Sequence, residues 1–151
     1  MKALVLAGGF PQISLINSLK RRGITTLLAD YYQNPPAKNY ADAFFQVSTL
    51  AVDAIRSLAK TERVNLILTV CTDQALLTMA RVSEDLGLPC YLDYTTALNV
   101  TNKQHMKRVF AENGIPTADF AIAENPADIH LKFPLVVKPA DCNSSKGVVK
   151  V

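Results

Sequence analysis

Short apolar runs alternate with segments of helical period along the first two thirds of this chain, and that alternation restricts the fold more than any other feature. KALVLA (2–7) is a continuous apolar run that stops at Gly8-Gly9, and Ile13, Leu15, Ile16 and Leu19 then mark a helical face ending at Gly23. ITTLLA (24–29) is a second run, leading into Asp30 and the turn-rich YYQNPPAKN, where two prolines forbid a regular helix. Ser48 or Thr49 can cap a helix carrying Val52, Ile55, Leu58 and Ala59, and VNLILTV (64–70) follows as a buried strand. Thr72-Asp73 open a helix with Leu76, Met79, Val82 and Leu86 on one face, closed by Gly87 before a short strand near Cys90 to Leu92. Strands alternating with helices imply right-handed crossovers and a parallel, Rossmann-like sheet of the α/β class, spanning residues 1–97.

From residue 98 the pattern changes. Thr101 caps a helix containing Met106, Val109 and Phe110, Asn113-Gly114 end it, and Pro116 precedes an expected strand, DFAIA. Asn125-Pro126 open a short helix, and PLVVK and KGVVKV flank a polar loop like the arms of a hairpin. Residues 98–151 therefore read as a partial α+β subdomain.

Bulk properties exclude several classes. At 151 residues and 49% hydrophobic, the chain has enough apolar side chains for a packed core. A net charge of +3, from 16 Lys and Arg against 13 Asp and Glu, is too mild for a nucleic-acid or membrane footprint. Cys71, Cys90 and Cys142 are an odd set without CxxC spacing, beside two histidines, so neither a disulfide framework nor a zinc cluster is expected. The N-terminal apolar run breaks at Gly8-Gly9, short of a signal segment or membrane span, and the expectation is a cytoplasmic protein.

Three places can hold a ligand. In AGGFPQ the dinucleotide fingerprint GxGxxG is missing, since Phe10 and Ile13 stand where its second and third glycines belong. Such a turn can still aim backbone N–H groups at an anion, or it can be glycine-rich for backbone reasons alone. Asp30, and the Thr72-Asp73 pair, follow strands at the sheet's carboxyl edge, where open α/β sheets bind ligands, although Thr and Asp also serve as ordinary helix caps. In VVKPADCNSSKGV, Lys138 ends a strand and Lys146 sits in a loop of small polar residues that lets backbone groups approach phosphate closely. The other reading of that loop is a solvated hairpin turn with two surface lysines.

Together, TNKQHMKRVFAENGIPTADF and FPLVVKPADCNSSKGVVKV resemble the opening of an ATP-grasp domain, and LVLAGGFPQ through LGLPCYLDY resembles the domain that precedes it. The similarity is to ligases grouped with the carbamoyl-phosphate synthase large subunit. It implies that Lys103 and Lys138 reach the ATP phosphates and that Val136 lies against the adenine. Ser144, Ser145, Lys146 and Gly147 match the loop that closes over the phosphates. Gly8, Gly9, Phe10, Asp30, Thr72 and Asp73 would lie where such enzymes hold the carboxylate or phosphate end of a substrate. Where the family usually has Asp before its first lysine and a glycine-rich loop, this chain has Asn102 and CNSSKG.

The resemblance further implies ATP-dependent activation of a carboxylate to an acyl phosphate that an amine attacks, with small-molecule carboxylate and amine partners. Magnesium ligands are expected beyond Val151, so no catalytic or metal-binding residue is assigned within the chain. The 151 residues are expected to be the front of a longer ligase, inactive alone, with a hairpin whose open edges favour self-association. The alternative is a non-catalytic module that binds a nucleotide or docks a partner.

Overall fold

The computed structural model describes residues 1–142 and 146–151. They fall into two compact units, Met1–Ala97 and Leu98–Val151.

The first unit contains β1 (Lys2–Leu6), α1 (Phe10–Arg21), β2 (Thr25–Asp30), a 3₁₀ turn (Lys38–Tyr40), β3 (Ala43–Gln46), α2 (Val52–Glu62), β4 (Leu66–Leu68) and α3 (Asp73–Leu86). The sheet order is β3-β2-β1-β4, and every pairing is parallel. The chain first builds outward from β1 to β2 and β3, then crosses back through α2 to place β4 on β1's other side. That reversal makes the β1/β4 junction the topological switch point, the place at which open α/β sheets hold ligands.

Alternate residues of the central strand face opposite layers, as a pleated strand buried on both faces requires. Ala3 and Val5 join Ile16, Leu19 and Leu28 beneath α1. Leu4 and Leu6 join Ile55, Ala59, Ile67, Met79 and Val82 beneath α2 and α3. All four of these β1 side chains are fully buried. Full burial of each leucine stabilises the fold by about 1.5–3 kcal/mol. Helix α3 ends at Gly87, whose φ of +62° is the left-handed geometry glycine adopts without penalty.

The second unit continues from α4 (Tyr94–Thr101), which begins in the first, to α5 (Lys103–Glu112), a 3₁₀ turn (Pro126–Asp128) and the antiparallel pair β5 (Val136–Val137) and β6 (Val149–Lys150).

The structure corrects the sequence reading at five places. No strand forms at Cys90–Leu92; Pro89 supplies no N–H there, and the segment turns at Asp93, whose carboxylate accepts the Thr96 amide at 2.6 Å to start α4. The expected strand DFAIA pairs with no other strand among the described residues. Thr101 closes α4 and does not cap α5; Asn102 does, its Oδ1 accepting the amides of Gln104 (3.0 Å) and His105 (3.2 Å). Helix α2 starts at Val52 with Ala51 before it, later than a Ser48 or Thr49 cap would place it. Strand β3 lies in a stretch, Ala43–Gln46, to which the sequence reading assigned no element.

Candidate functional site

In the first unit, the candidate residues gather at the carboxyl edge of the sheet. Leaving β1, the chain passes through Ala7 in the left-handed region (φ +69°) and reaches Gly8 and Gly9, which precede the first turn of α1. Gly8 is held on both sides. Its N–H donates to Asp30 Oδ2 at 2.6 Å, and its carbonyl accepts the Ala37 amide at 2.8 Å. A β-carbon at Gly8 would stand 2.6 Å from Pro35 Cβ, so close approach of the two loops requires glycine there. Gly9 is different, with extended backbone (φ −70°, ψ −179°) that any residue can adopt.

Asp30 is only 8% exposed. While Oδ2 takes Gly8, Oδ1 accepts the Tyr32 amide at 2.7 Å. Both carboxylate oxygens therefore bind backbone, and the residue fixes the β1–α1 turn against the segment after β2. Phe10 (75% exposed), Tyr31 (67%) and Tyr32 (70%) flank this tie and face solvent. The two tyrosine rings meet edge to face with centroids 5.5 Å apart.

Across the switch point, Thr72 occupies the N-cap position of α3, but its side chain makes no capping bond. Its hydroxyl instead lies 3.3 Å from the Val70 carbonyl and 3.3 Å from Gln12 Nε2. Gln12 is 1% exposed and donates to the Val70 carbonyl at 2.6 Å, tying α1 to the β4–α3 turn. Asp73 begins α3 and is exposed, its carboxylate at the positive end of the helix dipole.

Sequence reasoning missed Gln12. The signal was present, because Gln12, Ile16 and Leu19 are the buried residues of α1 and lie at spacings of four and three, on one stripe. A polar residue on an apolar stripe needs a buried partner, and the Val70 carbonyl supplies it.

In the second unit, the Lys103 backbone N–H donates to the Ala140 carbonyl at 2.8 Å, and its ammonium donates to the Cys142 carbonyl. This brings the head of α5 to the base of the polar loop. Lys138 follows β5 and is exposed, as are Val136 and Lys146. Gly147 has φ +71°, and a β-carbon on it would stand 2.8 Å from Pro139 Cγ, so glycine is required there for both conformation and space. Ser144 and Ser145 lie outside the described residues. Among the described residues, no group of three or more His, Cys, Asp or Glu is placed to hold a metal ion. No helix among them is long and apolar enough to cross a membrane.

A parallel sheet with a reversed strand order, followed by an antiparallel hairpin flanked by lysines, places the chain in the α/β class. No family model matches the chain. It is 29% identical over 134 residues to formate-dependent phosphoribosylglycinamide formyltransferase of Hydrogenovibrio crunogenus, covering 85% of this chain and 34% of that protein. Against the protein of the same name from Burkholderia thailandensis it is 28% identical over 153 residues, covering 97% and 38%. Among solved structures, L-amino acid ligase from Bacillus licheniformis superposes with a TM-score of 0.77 at 26% identity, covering 99% of this chain and 38% of that one.

These relatives belong to the ATP-grasp superfamily of ligases, to which the chain is similar in sequence and in fold. The relatives do not single out the carbamoyl-phosphate synthase group within it. The chain spans a little over a third of the length of the curated relatives it matches.

Proposed function

We propose that residues 1–151 serve as the substrate-side domain and first phosphate-binding lobe of an ATP-dependent carboxylate–amine ligase. The observation that carries this reading is the join of Lys103 to the loop between β5 and β6. The ammonium of Lys103 bonds the Cys142 carbonyl, and Lys138 begins the same loop directly after β5. The names of the relatives support the substrate class, since one uses formate and another joins amino acids.

In this proposal the carboxylate oxygen attacks the γ-phosphorus of ATP and ADP leaves. The amine nitrogen then attacks the acyl carbon, and phosphate departs. The chain's own residues contribute binding and alignment, which are the main demands of phosphoryl transfer. Lys138 and Lys146 neutralise phosphate charge. Lys103 retains two of its three ammonium hydrogens for phosphate after the Cys142 bond. Val136 offers an apolar surface to the base. Gly9 and Phe10 at the head of α1 present backbone N–H groups to the substrate's anionic end, with Gly8, Thr72 and Asp73 beside them and Asp30 holding the turn in shape through the Gly8 amide. Magnesium would supply charge neutralisation at the phosphates, and no cluster of His, Cys, Asp or Glu among the described residues would hold it.

The proposal assigns turnover to an assembly with the remainder of the relatives' length, so the 151-residue chain binds ATP without hydrolysing it. Calorimetric titration of ATP into the purified chain tests the reading. Binding weakened roughly tenfold by Lys138→Ala supports it, that being the worth of one charge-assisted contact. Equal affinity in the wild type, Lys103→Ala and Lys138→Ala would refute it, and so would Lys138-dependent ATP hydrolysis by the chain alone, for the division of labour.

A further inference from the structure

The register of the terminal hairpin sorts its side chains into two unlike faces. Val136 pairs with Lys150 and Val137 with Val149, and the Leu135 and Val151 backbones exchange both hydrogen bonds (2.7 and 2.9 Å). Alternation along each strand then puts Val136, Lys138, Val148 and Lys150 on one face and Leu135, Val137, Val149 and Val151 on the other. One face is wholly aliphatic. The other carries every cation of the two strands.

On that cationic face, Lys150 lies directly across from Val136 and diagonally from Lys138, a separation of roughly 7–8 Å between neighbouring strands. Both lysines are exposed, and none of the ion pairs among the described residues engages either ammonium. Two like charges so placed repel each other, and an anion between them converts the repulsion into attraction. A polyphosphate has the charge and the length to contact both.

We infer that Lys150 is a further phosphate-binding residue, acting with Lys138 on the polyphosphate of a nucleoside triphosphate laid across this face. The inference deepens the ATP reading above and rests on it. Lys150 was given no role in the sequence reading, because only the pairing register puts it beside Lys138.

The test titrates ATP, and separately inorganic tripolyphosphate, into the full chain and into Lys150→Ala, Lys150→Arg, Lys138→Ala and Lys132→Ala, with backbone amide spectra to verify the hairpin. Expected results are a loss of roughly tenfold for both ligands in Lys150→Ala, recovery in Lys150→Arg, no change in Lys132→Ala, and a weaker dependence on salt once either lysine is removed. Wild-type affinity in Lys150→Ala, with Lys138→Ala weakened, overturns the role of Lys150 and leaves the ATP reading standing. Loss in Lys150→Ala accompanied by collapse of the hairpin spectrum, without rescue by arginine, makes the residue structural and also overturns it. If the unaltered chain binds neither ligand, both readings fall.

Discussion

The Asp30 carboxylate accepts the Gly8 amide at 2.6 Å across the gap between the ends of β1 and β2. With Pro35 packed where a Gly8 side chain would go, this bond sets the shape of the turn that opens α1. Gly8→Ala forces its new methyl to within 2.6 Å of a proline ring atom that has little freedom to withdraw. A cost of about 1–3 kcal/mol is expected, the usual range for overpacking. Gly9→Ala, whose new atom would meet the end of the Gln12 side chain at 3.2 Å and Pro11 Cδ at an ordinary 3.6 Å, should cost clearly less. Urea unfolding of the two variants checks the order; equal midpoints would contradict it.

Gln12 spans the switch point by donating to the Val70 carbonyl at 2.6 Å. Gln12→Leu removes the shorter of that carbonyl's two side-chain hydrogen bonds, leaving the Thr72 hydroxyl at 3.3 Å, and a loss of about 1 kcal/mol is expected. The local sign is faster hydrogen exchange in the first turn of α3, because the β4–α3 turn loses its tie to α1. Unchanged exchange there would show that Gln12 only fills space.

Asn102 satisfies two otherwise unpaired amides of α5. Asn102→Ala should cost about 1 kcal/mol and expose the Gln104 and His105 amides to exchange. Asn102→Asp should retain the cap, since aspartate serves equally well at this position. Equal protection in Asn102→Ala and wild type would remove the capping account.

Asp42 provides a pH signature. A hydrogen bond from Lys20, followed by one from the Thr26 amide, holds its carboxyl below the ordinary carboxylate range. The contacts are 2.8 Å to the Lys20 ammonium and 2.8 Å to the Thr26 amide. Because the folded pKa is depressed, the stabilisation is fully present above the unfolded value of about 3.9 and disappears as pH falls through the folded one. The pair is half exposed, so the effect is small. The stability gap between wild type and Asp42→Asn should stay constant from pH 7 to 5 and shrink below about pH 4. A gap that widens in acid would contradict this assignment.

Much of the parallel unit is legible in the chain because its signals are local. The apolar run at 2–7 and the helical period from Ile13 to Leu19 specify a strand and a helix whatever the rest of the chain does, and Gly87 marks the end of α3. The failures came where a neighbour decides. Cys90–Leu92 and DFAIA have strand-like composition, yet a strand exists only when another strand supplies its hydrogen bonds. Thr101 and Asn102 are both capping residues, and the length of α4 determines which one is free to cap α5.

The sequence by itself determined the alternation, the turn glycines and the lysine-bearing hairpin, since each follows from residue type and short spacing. Tertiary structure alone decided that Asp30 turns its carboxylate inward to Gly8 and Tyr32, that Gln12 reaches Val70, and that Lys150 shares a face with Lys138. Those relationships join residues 12 to 58 positions apart, or, for Tyr32, fix a short turn through a buried carboxylate. Only packing and strand register bring such groups within hydrogen-bonding or electrostatic reach, and neither is encoded in local spacing.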